Sequence, residues 1–327
     1  MRALLCRAWG EIESLVFEDR PSPKPGAGQV RLRVHAAGVN FADTLMIAGK
    51  YQDKPPFPFS PGLEAAGEIV EIGSDAPGLA VGDRVMAILD HGGFAEEVLA
   101  RCEDVFPIPS RLDSASAAGF PIVYGASHIA LWKQANMQRG ETLLVLGAAG
   151  GVGLTAVEIG KLMGARVIAA AGDAEKLAVA QSRGADVLID YKKESIIDRV
   201  KEATNGLGAD VVYDPVGGDA FDQSLRCLNW GARLLIVGFA SGKTPQIPAN
   251  RLFIKNASAM GVYWGSYRGR QPETFAESFR RLFEWVENGQ LNPLISHQVP
   301  FDQAPEALRL LRDRKASGKV VVTFPLS

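Results

Sequence analysis

The strongest constraint on the fold is a run of continuous apolar segments, beginning at Thr142, that alternate with segments of helical periodicity. Strands buried on both faces of a parallel sheet show this pattern. It predicts an α/β domain with a six-stranded, doubly wound sheet of the Rossmann type. The expected strands are Thr142–Leu146, Arg166–Ala170, Val187–Asp190, Asp210–Tyr213, Arg233–Val237 and Ser258–Val262. The expected helices are Gly151–Met163, Ala174–Ser182, Ser195–Ala203 and Asp219–Leu228, with a loop over Pro245–Lys255 before the sixth strand.

A glycine-rich turn connects the first of these strands to the first helix. It reads Gly147-Ala148-Ala149-Gly150-Gly151-Val152-Gly153. Glycines let the backbone turn sharply and approach a ligand closely, and the N-terminus of the following helix offers N–H groups and the positive end of a dipole. A strand, a glycine turn and a helix in this order predict a binding site for the pyrophosphate of a dinucleotide.

The end of the second strand indicates which dinucleotide is preferred. NAD-binding sites normally place an acidic residue there, where the carboxylate binds the ribose 2′-hydroxyl. Here the strand ends in alanines followed by Gly172, with Lys176 beyond it and Tyr191 at the end of the third strand. This favours NADPH, because a cation and open space suit a 2′-phosphate. Asp173 weakens this preference, since its carboxylate one residue further on could repel the phosphate or bind the ribose instead.

The chain before residue 123 has a different pattern. Short segments of alternating apolar and polar residues, such as Val30–His35 and Ala66–Gly73, are separated by frequent proline and glycine and predict half-buried strands. After the sixth strand, helices are expected at Pro272–Asn288 and Ala304–Arg314, followed by a strand at Lys319–Phe324. We therefore predict a Rossmann domain, residues 123–264, inserted into a mostly β domain formed by residues 1–122 and 265–327, with the ligand cleft between them.

The composition restricts the partners. Lys and Arg total 35 and Asp and Glu total 37, for a net charge of -2, so no general attraction to nucleic acid or anionic membrane is expected. No segment approaches the roughly 20 consecutive apolar residues of a membrane span. The three cysteines, Cys6, Cys102 and Cys227, suit neither a disulfide framework nor a zinc cluster. Without an export signal at the N-terminus, these features predict a cytoplasmic protein with a small-molecule substrate.

Five segments of the chain resemble one enzyme family. They are Ala36–Asp43, Pro61–Gly67, Val81–Val85, the glycine turn and Val211–Gly218. Together they are similar to the zinc-free quinone oxidoreductase branch of the medium-chain dehydrogenase/reductase superfamily, and the resemblance covers essentially the whole chain. It implies that the β domain is GroES-like and catalytic and that the Rossmann domain binds the cofactor.

The resemblance also implies that no metal is bound. Zinc-dependent relatives carry a cysteine where this chain has Asn40, a histidine where it has Leu63 and commonly a cysteine near Val123. Leucine and valine side chains cannot coordinate zinc. The cysteine-rich lobe that holds structural zinc in those relatives is missing between Asp90 and Ala100 as well.

The resemblance assigns cofactor contacts to particular segments. The pyrophosphate is expected on the glycine turn, the adenosine phosphate beside Lys176 and Tyr191, and the nicotinamide ribose or carboxamide against the residues after the fifth strand. Lys319 resembles a C-terminal lysine that reaches back into the cleft. The candidate cofactor-binding residues are Asn40, Val123, Ala149, Gly150, Gly151, Val152, Gly172, Asp173, Lys176, Tyr191, Gly238, Phe239, Ala240, Tyr263 and Lys319.

Two residues are candidate catalytic residues by the same resemblance. Asn40 is expected near the nicotinamide, and Tyr51 at the mouth of the substrate pocket, where its ring can stack on a planar quinone. Further candidate walls of this pocket are Tyr124, Tyr263 and Trp264, with the loop Pro55–Pro61 as its rim.

Three functions remain open at this point. The first is metal-free, NADPH-dependent reduction of a quinone. The second is NADPH-dependent reduction of an activated alkene, an enone or an enoyl thioester, which uses the same cofactor motifs and differs in the substrate pocket. The third is a dinucleotide-binding protein with a regulatory or interaction role and weak catalysis, since no unmistakable catalytic acid, base or metal ligand is present.

The sixth predicted strand, Ser258–Val262, is the last of the sheet. An open sheet edge invites pairing with the same strand of a second copy across a two-fold axis. The sequence therefore predicts a homodimer.

Overall fold

The computed structural model of the protein describes residues 1–325, and residues 326 and 327 of the predicted β domain lie outside it. The chain forms two compact units. The first unit consists of Met1–Ile122 together with residues 292–325, and the second unit of Val123–Leu291. Among the described residues, no helix has both the length and the apolar character needed to cross a bilayer.

Residues 1–325 contain fifteen strands and eleven α-helices. The strands are β1 (Arg2–Leu5), β2 (Val16–Asp19), β3 (Gln29–Val39), β4 (Glu64–Ile72), β5 (Arg84–Ile88), β6 (Glu97–Arg101), β7 (Val105–Pro107), β8 (Thr142–Leu146), β9 (Arg166–Ala171), β10 (Val187–Asp190), β11 (Ala209–Asp214), β12 (Leu228–Ile236), β13 (Ser258–Gly261), β14 (Ile295–Pro300) and β15 (Lys319–Thr323). The helices are α1 (Phe41–Ile47), α2 (Ser114–Ala118), α3 (Pro121–His128), α4 (Gly151–Leu162), α5 (Ala174–Ser182), α6 (Ile196–Ala203), α7 (Gly218–Ser224), α8 (Ala249–Phe253), α9 (Tyr267–Arg270), α10 (Pro272–Glu287) and α11 (Ala304–Arg312).

The second unit contains the predicted six-stranded parallel sheet. Its strand order is β10-β9-β8-β11-β12-β13, and every neighbouring pair is parallel. The four side chains of Leu143–Leu146 in β8 are fully buried, as expected for a strand covered on both faces. The Rossmann fold is therefore confirmed. The strand order reverses between β8 and β11, and in such sheets ligands bind at the carboxyl ends of the strands beside this reversal.

Two element predictions in this unit are wrong. The helix expected at Asp219–Leu228 ends at Ser224, because Leu228 begins β12 and pairs with Ala209 of β11. The segment Pro245–Lys255, expected to be a loop, contains the short helix α8. A helix of one or two turns has too few residues to show a clear period in the sequence, so tertiary contacts decide its extent.

The first unit is mostly β, as predicted. Its seven-stranded sheet has the order β14-β15-β3-β4-β5-β7, with β6 also paired to β3, and β1 and β2 form a separate pair. The C-terminal strand β15 runs antiparallel to β3, with Val320 opposite Val39. This register brings Lys319 next to Asn40, although 279 positions separate the two residues in the chain.

The segment that follows the sixth parallel strand lies in the second unit. The sequence prediction placed the return to the β domain at residue 265, whereas the chain returns to the first unit at Asn292. Helix α10 accounts for the difference. Its Ser278 Oγ lies 2.8 Å from Nδ1 of the buried His128, and its Arg281 guanidinium lies over the ring of Trp132. These contacts join residues far apart in the chain, so the local periodicity of α10 does not reveal them.

Candidate active site

The glycine turn lies at the carboxyl end of β8, as predicted. Gly147 has a φ of 62°, a left-handed conformation that favours glycine. Gly150 directly precedes the first residue of α4. A Cβ atom at Gly153 would overlap the carbonyl oxygen of Gly147, so only glycine lets the helix and the turn approach this closely. The start of α4, with its N–H groups, is thereby held beside the strand-order reversal, a position suited to an anionic ligand.

Three buried hydroxyl groups support the first turn of α4. Ser127 Oγ lies 2.9 Å from the carbonyl oxygen of Val152, 2.8 Å from Thr155 Oγ1 and 2.9 Å from the Tyr213 hydroxyl. Thr155 Oγ1 also lies 2.9 Å from the carbonyl oxygen of Val123, and its one proton serves a single acceptor at a time. Burial raises the pKa of the Tyr213 hydroxyl, which therefore stays protonated. Sequence reasoning missed this cluster, because isolated hydroxyl residues in apolar segments do not show that they meet.

The residues predicted around the adenosine phosphate converge on the end of β9. A Cβ atom at Gly172 would lie 2.9 Å from the Tyr191 hydroxyl and 3.3 Å from Lys192 Cε. Asp173 caps α5: its Oδ1 accepts from the backbone N–H of Lys176 over 2.9 Å, and its Oδ2 lies 3.3 Å from Lys176 Nζ. The backbone N–H of Lys176 is the main reason that the pKa of Asp173 lies below its usual value. The Asp173 carboxylate, which weakened the case for a bound phosphate, is thus occupied by contacts with Lys176 of α5.

Lys192 is a residue of this group that sequence reasoning missed. Its backbone N–H donates to Asp190 Oδ1 over 3.1 Å, which helps to fix the turn after β10. The neighbouring Lys193 pairs instead with Asp190 Oδ2 at 3.2 Å. The signal was two consecutive lysines directly after Tyr191. Lys192 adds a second cation to the end of β9, beside Gly172.

The residues predicted on the nicotinamide side lie in the loop after β12. The backbone N–H of Gly238 donates to the carbonyl oxygen of Asp214 over 3.3 Å, and that of Ala240 to Pro215 over 3.1 Å. The buried carboxylate of Asp214 in turn accepts from the backbone N–H of Gly217 over 2.9 Å. The loop is therefore held at the carboxyl end of β11, next to the strand-order reversal, and it leaves the side chain of Phe239 exposed.

A buried polar cluster in the first unit joins the end of β3 to the starts of β4 and β15. Lys319 Nζ donates to Asn40 Oδ1 over 2.6 Å and lies 2.6 Å from Glu64 Oε1. Asn40 Nδ2 donates to Glu64 Oε1 over 2.9 Å, and Glu64 Oε2 accepts from the backbone N–H of Ile122 over 2.9 Å. The side chains of Lys319 and Glu64 are 6% and 0% exposed. Lys319 is thus a partner of Asn40 in the interior of the unit.

Asp43 fixes the backbone beside this polar cluster. Its carboxylate accepts from the backbone N–H of Asn40 over 2.7 Å and from that of Gly62 over 3.2 Å. Burial raises the pKa of Asp43 to about 7, although both N–H donors and the charge of Lys319 act in the opposite direction. Burial therefore has the largest influence on the pKa of this carboxyl group.

Two glycines make room for the charged side chains of the cluster. A Cβ atom at Gly38 would overlap the carboxylate of Glu64 and lie 2.5 Å from the carbonyl oxygen of Ala118. A Cβ atom at Gly119 would lie 2.7 Å from Lys319 Cγ. Sequence reasoning did not select Glu64 as a site residue. The signal was a charged residue that follows Leu63 within an otherwise apolar segment.

The aromatic residues predicted as pocket walls have different environments. Tyr124 is buried, and its hydroxyl donates to Glu158 Oε2 over 2.6 Å. Trp264 is also buried, whereas Tyr263 is exposed. Tyr124 and Trp264 are therefore covered by other parts of the chain, whereas Tyr263 is accessible. Tyr51 packs, half-buried, against the hydrophobic core of the first unit.

Exposed aromatic side chains gather at the predicted rim loop of the first unit. The rings of Trp9 and Phe57 are 4.4 Å apart in an edge-to-face arrangement, and Phe59 lies 5.9 Å from Trp9. Trp9 and Phe57 are both exposed. Trp9 was not predicted, because it lies far from the loop in sequence and only the fold brings it there.

Two family models match the chain. The alcohol dehydrogenase GroES-like domain matches residues 26–110, and the zinc-binding dehydrogenase domain matches residues 151–285. Quinone oxidoreductase-like protein 2 homolog of Nematostella vectensis is 45% identical to this chain over 98% of this chain and 88% of its own. The chain belongs to the medium-chain dehydrogenase/reductase superfamily. It is an oxidoreductase of the quinone oxidoreductase branch, which the sequence motifs predicted.

Other members of the superfamily are similar over their whole length. The quinone oxidoreductase of Homo sapiens is 32% identical over 98% of this chain and 97% of its own. The crystal structure of Escherichia coli quinone oxidoreductase, described as a complex with NADPH, matches with a TM-score of 0.91 and 26% identity, over 99% of this chain and all of that one. The quinone oxidoreductase of Thermus thermophilus matches with a TM-score of 0.87 and 34% identity, over 99% and 100% of the two chains.

The name of the second family model raises the question of a metal. Within residues 1–325, no group of three or more His, Cys, Asp or Glu side chains is placed to hold a metal ion. The amide of Asn40 is instead bonded to a lysine and a carboxylate, and Leu63 is buried and apolar. The side chains at these two positions therefore do not fit a zinc ion.

The buried pair of Lys319 and Glu64 gives a first prediction. Lys319→Met is expected to lower the free energy of unfolding by about 3–5 kcal/mol, because it leaves the Glu64 carboxylate buried without its cation. The double variant Lys319→Met/Glu64→Gln is expected to regain part of this loss. Urea unfolding followed by circular dichroism measures both. The control is Lys243→Met, which removes an exposed lysine 3.7 Å from Asp219; a loss at Lys319 no larger than that of the control contradicts the prediction.

Proposed function

We propose that the chain is an NADPH-dependent oxidoreductase that transfers hydride to a quinone without a metal. The observation that carries the proposal is the start of α4, which Gly147 and Gly153 hold at the strand-order reversal of a Rossmann sheet. The similarity to quinone oxidoreductases, including one whose structure is described as an NADPH complex, supports the choice of cofactor and substrate. The exposed Trp9 and Phe57 offer planar apolar surface of the kind that a quinone ring needs.

When bound, NADPH supplies a hydride from its nicotinamide ring. The residues of the chain bind the cofactor and the substrate and orient them. In the proposal, the backbone N–H groups of Gly151 and Val152 hold the pyrophosphate, since that of Gly150 already donates to the carbonyl oxygen of Gly147 over 3.0 Å. The loop at Phe239 shapes the nicotinamide end. Asn40 donates a hydrogen bond where negative charge develops on the substrate oxygen. A quinone reduced by hydride is an anion that takes its proton from water, so the protein needs no acid of its own.

Product analysis tests the reaction. Purified protein with NADPH is offered quinones, enones and enoyl thioesters, and products are identified by mass spectrometry. We expect one hydroquinone per NADPH oxidised. The Gly153→Ala variant is expected to lose turnover by at least tenfold, since its methyl group pushes α4 from the turn. Gly269→Ala, whose added Cβ meets nothing within 4 Å, serves as the folded control.

Two other results would replace the proposal. A saturated ketone or acyl group as the only product identifies an alkene reductase. Tight NADPH binding with no turnover on any of the three classes identifies a dinucleotide-binding protein with a regulatory role. Either result contradicts quinone reduction.

The preference for NADPH is supported by the end of β9. Gly172 carries no carboxylate, and Asp173 is engaged as the cap of α5. The hydroxyl of Tyr191 and the side chain of Lys192 both lie beside Gly172. Lys176 lies in the first turn of the helix at the same edge. A 2′-phosphate would therefore meet two lysines and a hydroxyl, which suit its charge and its oxygen acceptors.

Lys192→Ala should weaken NADPH binding by about tenfold or more, the effect of losing one hydrogen bond to a charged group. NADH binding should change little, because NADH has no 2′-phosphate. Fluorescence titration with each cofactor separates the two effects. Lys193→Ala is the matched control, since that neighbouring lysine pairs with Asp190. Equal losses of affinity for both cofactors would show that Lys192 does not contact the 2′-phosphate.

We also propose that the protein is a homodimer. Strand β13 is the outer strand of the parallel sheet, and its four residues are exposed or half-buried. Two large apolar side chains in the second unit are exposed: Trp230, at 70%, and Phe253, at 82%. The backbone N–H of Gly231, next to Trp230, donates to the carbonyl oxygen of Lys255 over 2.7 Å. Exposed apolar surface beside an open sheet edge favours pairing with a second copy.

The dimer is tested by light scattering after size exclusion at micromolar concentration. We expect twice the chain mass of 35.0 kDa. The double variant Trp230→Glu/Phe253→Glu is expected to be monomeric, because it places charges at two exposed apolar positions. A wild-type mass of one chain would refute the dimer.

A cytoplasmic location remains part of the proposal. It is supported by Cys6, Cys102 and Cys227, which form no disulfide among the described residues. Cell fractionation of the tagged full chain tests it. Recovery of the chain in an exported or membrane fraction would contradict it.

A further inference from the structure

The amide of Asn40 has only one chemically acceptable orientation. Lys319 Nζ donates to its Oδ1 over 2.6 Å, and its Nδ2 donates to Glu64 Oε1 over 2.9 Å. Rotating the amide by 180° would put an NH2 group against the ammonium of Lys319 and an oxygen against the carboxylate of Glu64. Both contacts would be repulsive, since lysine has only donors and an ionised carboxylate only acceptors. The ion pair therefore sets which end of the amide carries the protons.

The groups that hold the amide are themselves held. Glu64 Oε1 accepts from both Asn40 Nδ2 and Lys319 Nζ, and Glu64 Oε2 accepts from the backbone N–H of Ile122. The backbone N–H of Asn40 donates to Asp43 Oδ2 over 2.7 Å, which fixes the start of α1. Polar groups that are buried and bonded to several partners have little freedom to rotate. The cluster is thus a rigid support for one amide.

One donor of this amide has no partner in the described part of the chain. Nδ2 carries two hydrogens, and Glu64 Oε1 accepts one of them. Asn40 is largely buried, at 6% exposed. The bond from the Lys319 ammonium to Oδ1 withdraws electron density from the amide and strengthens the remaining N–H as a donor. The geometry of the first unit therefore presents a single, oriented, neutral hydrogen-bond donor.

We propose that Glu64 and Lys319 are positioning residues that orient the Asn40 amide so that its second N–H donates to the oxygen of the hydride acceptor. This inference rests on the proposed function, in which Asn40 contacts the substrate. Hydride addition oxidises NADPH to NADP+ and reduces the quinone to a hydroquinone anion, and water supplies the proton that completes the hydroquinone. The oriented N–H stabilises the oxyanion without giving up its proton. Loss of one such donor typically costs about 100-fold to 1,000-fold in kcat.

A double-mutant cycle tests whether Lys319 acts through Asn40. We expect Asn40→Ala to lower kcat by about 100-fold and Lys319→Met to lower it by at least tenfold. In the Asn40→Ala background, Lys319→Met should cause little further loss, because the amide that it orients is already gone. NADPH affinity, which depends on the second unit in the proposal, should stay within about twofold in every variant that remains folded by circular dichroism. Additive losses in kcat, or losses of NADPH affinity as large as those in kcat, would overturn the inference.

A second measurement does not depend on turnover. In protein labelled with 15N at asparagine, the two Nδ2 protons of Asn40 should give separate signals, identified by their absence in Asn40→Ala. Hydrogen exchange at the proton bonded to Glu64 should be at least tenfold faster in Glu64→Gln and in Lys319→Met than in the wild type. Lys243→Met, which removes an exposed lysine, should leave the exchange rate unchanged. Equal exchange in all of these proteins would mean that the amide is not held.

The two tests separate failure of the inference from failure of the proposed function. If the wild type reduces enones and no quinones, the quinone assignment fails, and the same cycle is measured on the enone, whose carbonyl oxygen also becomes negative. A coupled loss there supports the positioning role. An uncoupled loss on whichever acceptor is reduced refutes it.

Discussion

A buried ion pair joins the last strand of the chain to its N-terminal half. Lys319, at the start of β15, contacts Glu64 at the start of β4, and both contact Asn40 after β3. A charge in the interior of a protein is costly unless it is paired and hydrogen-bonded, so Lys319 and Glu64 can be buried here because they contact each other and Asn40. The pairing of β15 with β3 and the presence of glycine at positions 38 and 119 both permit these contacts. A polar site inside an apolar sheet is the result.

The second unit meets a different constraint, which is close approach of backbone to backbone. Helix α4 can start beside the end of β8 only because Gly153 has no side chain, and the hydroxyl groups of Ser127, Thr155 and Tyr213 then hold its first turn. In the proposed reaction this unit binds the cofactor through backbone groups, whereas the first unit acts on the substrate through one oriented amide. Binding the cofactor and stabilising the substrate oxygen depend on different interactions. Phosphate binding uses a helix dipole, and oxyanion stabilisation uses a rigid donor.

Much of the second unit could be predicted because its signal is local. The strand Thr142–Leu146 and the helix Ala174–Ser182 were predicted at their observed bounds, since apolar runs and caps are visible within a few residues. The end of α7 and the helix α8 were wrong, because such short helices depend on their neighbours. The site was predicted in the same uneven way. The glycine turn is recognisable from its own residues. Lys192 and Trp9 are recognisable as site residues only from the neighbours that the fold brings to them, Gly172 and Phe57.

The sequence by itself determined the class of fold and the glycine turn, because these depend on local periodicity and on side-chain chemistry. Its resemblance to the family implied that Asn40 and Leu63 stand where zinc-dependent relatives carry ligands. Tertiary structure alone decided which groups Asn40 contacts. It brought Lys319 across 279 positions to the amide, supplied Glu64 as a second partner and assigned α10 to the second unit. The physical reason is that a hydrogen bond or an ion pair is specified by distance and direction in space. Neither quantity is encoded in the spacing of residues along the chain.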